Sequence, residues 1–295
     1  MDIRCPGFYC SRQSVQALKP VGGNEVDVSI DLTYDEIVVL TRVMSVDMPV
    51  GVAIDDIEYP EAIRSRLDGN ATLSLEARRI LTPSASGPEV NPAVAELLDL
   101  ASAPGLIISI EVEEPSGTDF RVLVCDEDLG VEVAPITPSA YRLTPFVTRD
   151  LVRRVVRFTD LRPANVPVVR DVTIKSSELT RAASIADVDQ DGAADYLKTL
   201  GVDDADALAS ALGERRRVVS VTALHQPTGA MIEGGSISWI DAGLRGNWLS
   251  EPADGSTHLD TDDEDGLVLV RPVTAETIMT ELVSYLPAAF SEGQN

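Results

Sequence analysis

The sequence predicts an α+β protein with a mainly antiparallel central sheet flanked by helical bundles, arranged as two quasi-twofold-related halves. Three observations lead there. Amphipathic strands occur in two runs, near residues 106–143 and 217–272. Short helical segments precede each run, and one well-marked helix closes each, at Pro145–Phe158 and Thr274–Phe290. Such a meander covers one sheet face with its closing helix and leaves the other face needing cover or a partner. The expected division is a flexible lead over 1–25, an N-terminal half over 26–171 and a C-terminal half over 172–295, forming one compact domain.

In chain order, Pro6, Gly7, Pro20, Gly22 and Gly23 interrupt any pattern in the lead. Asp31–Met44 reads as an amphipathic helix with Thr33 as N-cap and Glu36 three residues later, the capping-box spacing. Short helices are expected at Tyr59–Arg66, Ser74–Leu81 and Asn91–Ala101, the last with Asn91 as cap and Pro92 at the first helical position. Strands follow at Leu106–Glu113, Phe120–Cys125, Gly130–Ala134 and Ser139–Leu143. In the first of these, Ile108, Ile110 and Val112 alternate with Ser109 and Glu111. After the closing helix, Thr159–Asp171 is a Pro-punctuated connector. Helices near Ser176–Ile185, Ala193–Leu200 and Asp203–Leu212 open the second half. Its strands are Arg217–Leu224, Met231–Ile240, Leu244–Leu249 and Leu267–Pro272, and Thr274 caps the last helix.

Composition narrows the function classes. The chain has 295 residues, 44% hydrophobic but only 4% aromatic, so its core is mostly Val, Leu, Ile and Ala. A net charge of −24 excludes phosphate-backbone binding and attraction to anionic membranes, and it discourages self-association. A monomer or weak dimer in the cytoplasm is expected. No apolar run reaches the roughly 20 residues of a membrane span, and residues 1–25 lack the apolar core of a secretory signal. Cys5, Cys10 and Cys125 form no disulfide framework, and Cys5 and Cys10 have no accompanying zinc ligands.

Catalytic signatures are missing. His225 and His258 stand in no nucleophile or metal motif, and no Gly-rich phosphate loop joins a strand to a helix. Neither a metal nor a cofactor is expected. The ligand-like loop is Asp187-Val-Asp-Gln-Asp-Gly192, with Asp195 in the ninth position of a calcium loop, but Lys198 stands where a bidentate carboxylate should be. An acidic loop capping the next helix is the simpler account, and a calcium-responsive binding module is the alternative. Asp260–Gly266 reads as a solvated loop ending in a turn signal.

The second sheet shows two alternating sets. One contains Val219, Val221, Ala223, Met231, Ile237, Trp239, Leu244 and Trp248, expected to pack under helices. The other contains Ser220, Thr222, Ser236, Ser238, Arg245 and Asn247, mixed with Val218, Ile232, Ile240 and Leu249. That mixed polar and aliphatic face is the expected partner-binding surface. Gly234 and Gly235 in mid-strand point to a bulge or a close backbone approach.

Several stretches carry a resemblance in their order and spacing. They are Leu32-Thr-Tyr-Asp-Glu-Ile-Val-Val-Leu40 with the Met48-Pro49 turn, Leu200-Gly-Val-Asp-Asp-Ala-Asp-Ala-Leu-Ala-Ser-Ala-Leu212, and Ser236-Ile-Ser-Trp-Ile-Asp241 running on to Leu267-Val-Leu-Val-Arg-Pro272. From about Val26 the chain resembles the EspG family of ESX (type VII) secretion chaperones. The long lead and the acidic insertion at Asp260–Asp265 depart from the family pattern. The resemblance implies a two-part fold with internal pseudo-symmetry and no catalysis. It also implies binding of the exposed tip of a PE–PPE heterodimer through the sheet and the C-terminal helical part.

Overall fold

Thr33 makes the first structural decision in the chain. Its hydroxyl accepts from the Glu36 backbone N–H at 3.3 Å, and the Glu36 carboxylate accepts from the Thr33 N–H at 2.9 Å. This reciprocal box satisfies two donors that a helix start leaves open. Helix α1 (Tyr34–Met44) therefore begins there, and Ile30–Thr33 is left as strand β1.

The computed structural model describes residues 29–53, 59–164, 166–225, 233–253 and 266–287. After α1 come α2 (Glu61–Ala77), a small pair β2 (Leu81–Thr82) and β3 (Glu89–Val90), and α3 (Pro92–Ser102). Four strands follow, β4 (Leu106–Glu114), β5 (Gly117–Cys125), β6 (Leu129–Thr137) and β7 (Ala140–Val147), and α4 (Leu151–Thr159) closes the half. The second half repeats the plan. It contains β8 (Val172–Lys175), α5 (Ser176–Ala186), α6 (Gln190–Thr199), α7 (Ala205–Gly213), β9 (Arg217–His225), β10 (Glu233–Asp241), β11 (Asn247–Pro252), β12 (Leu267–Val273) and α8 (Ala275–Ser284).

All the large strands join one ten-stranded antiparallel sheet in the order β1-β7-β6-β5-β4-β9-β10-β11-β12-β8. The order is the same read from either end. Each half places its first strand at an outer edge and its second at the centre, and β4 pairs with β9 over eight residue pairs, Leu106–Glu113 against Val218–His225. The predicted quasi-twofold α+β architecture is the observed one.

Three hydrophobic clusters cover this sheet. On one face, Ile108, Ile110, Val219, Val221 and Trp239 pack under α4 and α8 through Val155, Ile278 and Leu282. Among the described residues, the other face is covered only at its two ends. Helices α1–α3 bury Leu32, Val122, Val133 and Leu143, and α5–α7 bury Ile174, Ile240, Trp248 and Val270.

Several boundaries differ from expectation. β1 and β8 are additional strands, each only four residues long and each running directly into a helix. The two helices expected around residues 59–81 are one continuous α2, despite Gly69 in its middle. The expected Pro145–Phe158 helix begins later, because β7 extends to Val147 and a 3-10 turn, Thr148–Asp150, precedes α4. Gly234 and Gly235 make no bulge, since the β9–β10 register runs unbroken through them. They mark a close approach instead. A Cβ on Gly235 would lie 2.4 Å from the Tyr285 ring, and one on Gly234, at φ +153°, 2.0 Å from the Ala223 carbonyl oxygen.

A candidate protein-binding trough

The middle of the second sheet face, between the two helical bundles, has no helix over it among the described residues. Its floor is set by register. Ser220 lies opposite Ser238 and Thr222 opposite Ser236, while Glu111 and Ser109 of β4 sit beside Ser220 and Thr222. One residue further out, Phe120 of β5 lies opposite Glu111. The small residues are half-buried, Glu111 and Glu113 are exposed, and Phe120 is 37% exposed.

The floor hydroxyls satisfy one another. Ser220 Oγ and Ser238 Oγ are 3.1 Å apart, and Thr222 Oγ1 and Ser236 Oγ are 2.9 Å apart. Small side chains keep this strip low, and the flanking bundles raise its walls. The result is a trough with a hydroxylated floor, one aromatic ring and an acidic margin on β4.

The structure unites four of the six residues predicted to bind a partner and separates two. Ser220, Thr222, Ser236 and Ser238 share the floor. Arg245 lies in a 3-10 turn, Gly243–Arg245, with its Nη2 2.9 Å from Glu214. That contact holds the Glu214 carboxyl below its usual range, through the hydrogen bond from Arg245. Asn247 is buried on the opposite face, where its Nδ2 donates to the Arg162 carbonyl at 3.3 Å. The turn explains the error. It occupies residues read as strand, so β11 starts at Asn247 and Leu249, not Trp248, lies beside Trp239. Trp248 packs under α5–α7, and Leu244 is 88% exposed instead of covered. Met231, Ile232 and His258 lie outside the described residues.

Ser109, Glu111 and Phe120 are floor residues that the alternation in the C-terminal half could not supply. Their own alternation in β4 was visible; that β4 borders β9 was not.

The EspG family model matches residues 33–260. The chain belongs to the EspG family. Among solved structures it is similar to the type VII secretion system chaperone EspG5 of Mycobacterium tuberculosis, determined in complex with the PE25-PPE41 dimer. That match has 13% sequence identity and a TM-score of 0.58, and it covers 88% of this chain and 97% of the other. Comparison with curated proteins finds no match.

In this EspG-family chain the calcium alternative fails on geometry. Asp187 binds Arg215 at 2.7 Å, Asp189 caps α6 by accepting from the Gly192 N–H at 3.0 Å, and Asp195 faces Lys198 at 3.5 Å. The loop carboxylates serve three separate partners, and no group of metal-binding side chains converges among the described residues. No helix among them is long and apolar enough to cross a membrane.

On the other sheet face, a cleft of about 340 Å³ is lined by Val112, Glu114, Thr118, Phe158 and Arg217. Arg217 is shared there between Glu114 and Asp160, each at 3.6 Å, so its charge is met within the fold. Burial pushes the Cys125 thiol up to about 12, the opposite of what a thiolate nucleophile needs.

Proposed function

We propose that this protein is a non-catalytic cytoplasmic chaperone that holds a PE–PPE-type heterodimer in its trough and keeps it soluble for export. Family membership supports this reading, as does the fold it shares with a chaperone solved together with such a dimer. The observation that carries it is the uncovered hydroxylated strip between the bundles. Three apolar clusters cover the opposite face and the two ends of this one. Covering the exposed apolar tip of a client removes an aggregation patch. The four mutually bonded hydroxyls of the strip offer such a tip a low surface that carries no charge of its own.

Co-expression with a PE–PPE pair, followed by size exclusion with light scattering, tests the reading. A stable heterotrimer is expected, and Ser238→Arg, which fills the trough without entering any core cluster, should abolish it. Failure of every PE–PPE pair of the source genome to associate would refute the function. A heterotrimer indifferent to Ser238→Arg would move the client off this floor.

A further inference from the structure

The sheet face opposite the trough carries a second surface. Helix α4 buries Leu151, Val152 and Val155 and turns Arg153 and Arg157 outward, and Arg149 is exposed on the 3-10 turn just before it. Arg153 and Arg157 lie one four-residue step apart on α4, and Arg149 continues that spacing into the turn before it, so the three make one exposed ridge. Arg153 meets Asp150 at 3.2 Å, whereas Arg149 and Arg157 have no ionic partner among the described residues.

The internal symmetry supplies a control. Helix α8 holds the equivalent place in the other half, and its core residues Ile278, Leu282 and Leu286 correspond in spacing to Leu151, Val155 and Thr159. By the same offset, Arg149, Arg153 and Arg157 correspond to Glu276, Thr280 and Ser284, which are also exposed. The fold therefore does not require a basic ridge at this position, and only one half carries it among the described residues. The helix beneath it is held firmly. Arg154 lies over the Phe146 ring at 4.8 Å and binds Glu132 at 3.0 Å, and the same Glu132 binds Arg121.

We propose that the α4 ridge is a docking surface for an acidic helical segment of a second protein, with carboxylates at four-residue spacing to match. Charge complementarity selects this partner, because guanidinium groups pair with carboxylates by bidentate hydrogen bonds. The proposal is independent of the chaperone reading, since the ridge and the trough lie on opposite sheet faces.

The test is fluorescence anisotropy with a labelled, helix-forming peptide that carries glutamates at successive four-residue intervals. Binding should weaken as salt rises. The triple variant Arg149→Gln, Arg153→Gln, Arg157→Gln should lose about tenfold or more in affinity. Its circular dichroism and melting should be unchanged, because none of the three side chains enters the core. Ser238→Arg should bind the peptide as the parent does. Absence of binding at low salt, or undiminished binding by the triple variant, would overturn the proposal. Displacement of the peptide by equimolar duplex DNA would overturn it in favour of a nucleic-acid surface.

Discussion

At the scale of single residues, Glu36 carries more structure than any other charge. It is 3% exposed, and its carboxylate accepts from the Thr33 N–H, from Ser74 Oγ at 2.7 Å and from Arg78 at 3.1 Å. One side chain thus caps α1 and ties it to the end of α2. Glu36→Ala leaves three donors unmet, and urea unfolding should show a loss of about 2–3 kcal/mol. Glu36→Gln, which keeps an acceptor, should lose less. Asp31 supplies an acid-sensitive contact. Hydrogen bonds from Arg142 at 2.7 and 2.8 Å hold its carboxyl below the ordinary value of 3.8, against a small opposing effect of burial. A depressed folded-state pKa stabilises the fold above the unfolded value and ceases to do so as pH falls through the folded one. Asp31→Asn should therefore lower stability at neutral pH and flatten its decline in acid below pH 3.8. An unchanged acid limb would exclude Asp31 as a contributor. Part of the trough floor was legible at this scale. Ser220, Thr222, Ser236 and Ser238 alternate with Val and Trp in plain sequence, so their shared face follows from the period of a strand. Arg245 and Asn247 did not follow, because a turn of three residues shifts the phase of the strand after it.

At the scale of elements, the sequence reveals what is local and misses what is paired at a distance. The capping box at Thr33 and Glu36, the Asn91 cap and the Thr274 cap all appear as predicted, since each depends on residues within a single turn. β1 and β8 were hidden because four residues offer too little alternation and their partners lie far along the chain. β1 pairs with residues 140–143 and β8 with residues 267–270. Short edge strands of this kind also limit sheet-to-sheet association. Helix α2 was read as two helices, yet it runs unbroken through Gly69, and a glycine inside a helix costs only about 1 kcal/mol. Nothing lies within 4 Å of a Cβ placed on Gly69. Gly69→Ala should therefore stabilise the protein by about 1 kcal/mol, visible as a higher melting temperature with no change at the trough. A lower melting temperature would mean that α2 needs a flexible point there.

At the scale of the whole molecule, the β4–β9 seam decides how the halves behave. Eight residue pairs cross it, and the apolar cluster under α4 and α8 draws side chains from both sides. Residues 26–171 and 172–295 are expected to unfold together as one cooperative unit. The natural probes separate the halves. Both tryptophans, Trp239 and Trp248, belong to the second half, whereas circular dichroism reports on both. Coincident midpoints by fluorescence and circular dichroism are the expected result, and a fluorescence transition offset from the dichroism transition would mean independent halves. The seam also bears on how this molecule could change over time. It has the form of an interface between two subunits whose chains happen to be fused. The connector over residues 160–171 keeps the pair at an effective concentration that separate polypeptides reach only with a tighter interface. A symmetric dimer of identical chains must write every substitution twice. Fusion lifts that obligation, and one lobe can take on a new charge while its twin keeps the old surface. Arg153 and Arg157 of α4, set against Thr280 and Ser284 of α8, show the two lobes carrying different charge at equivalent places.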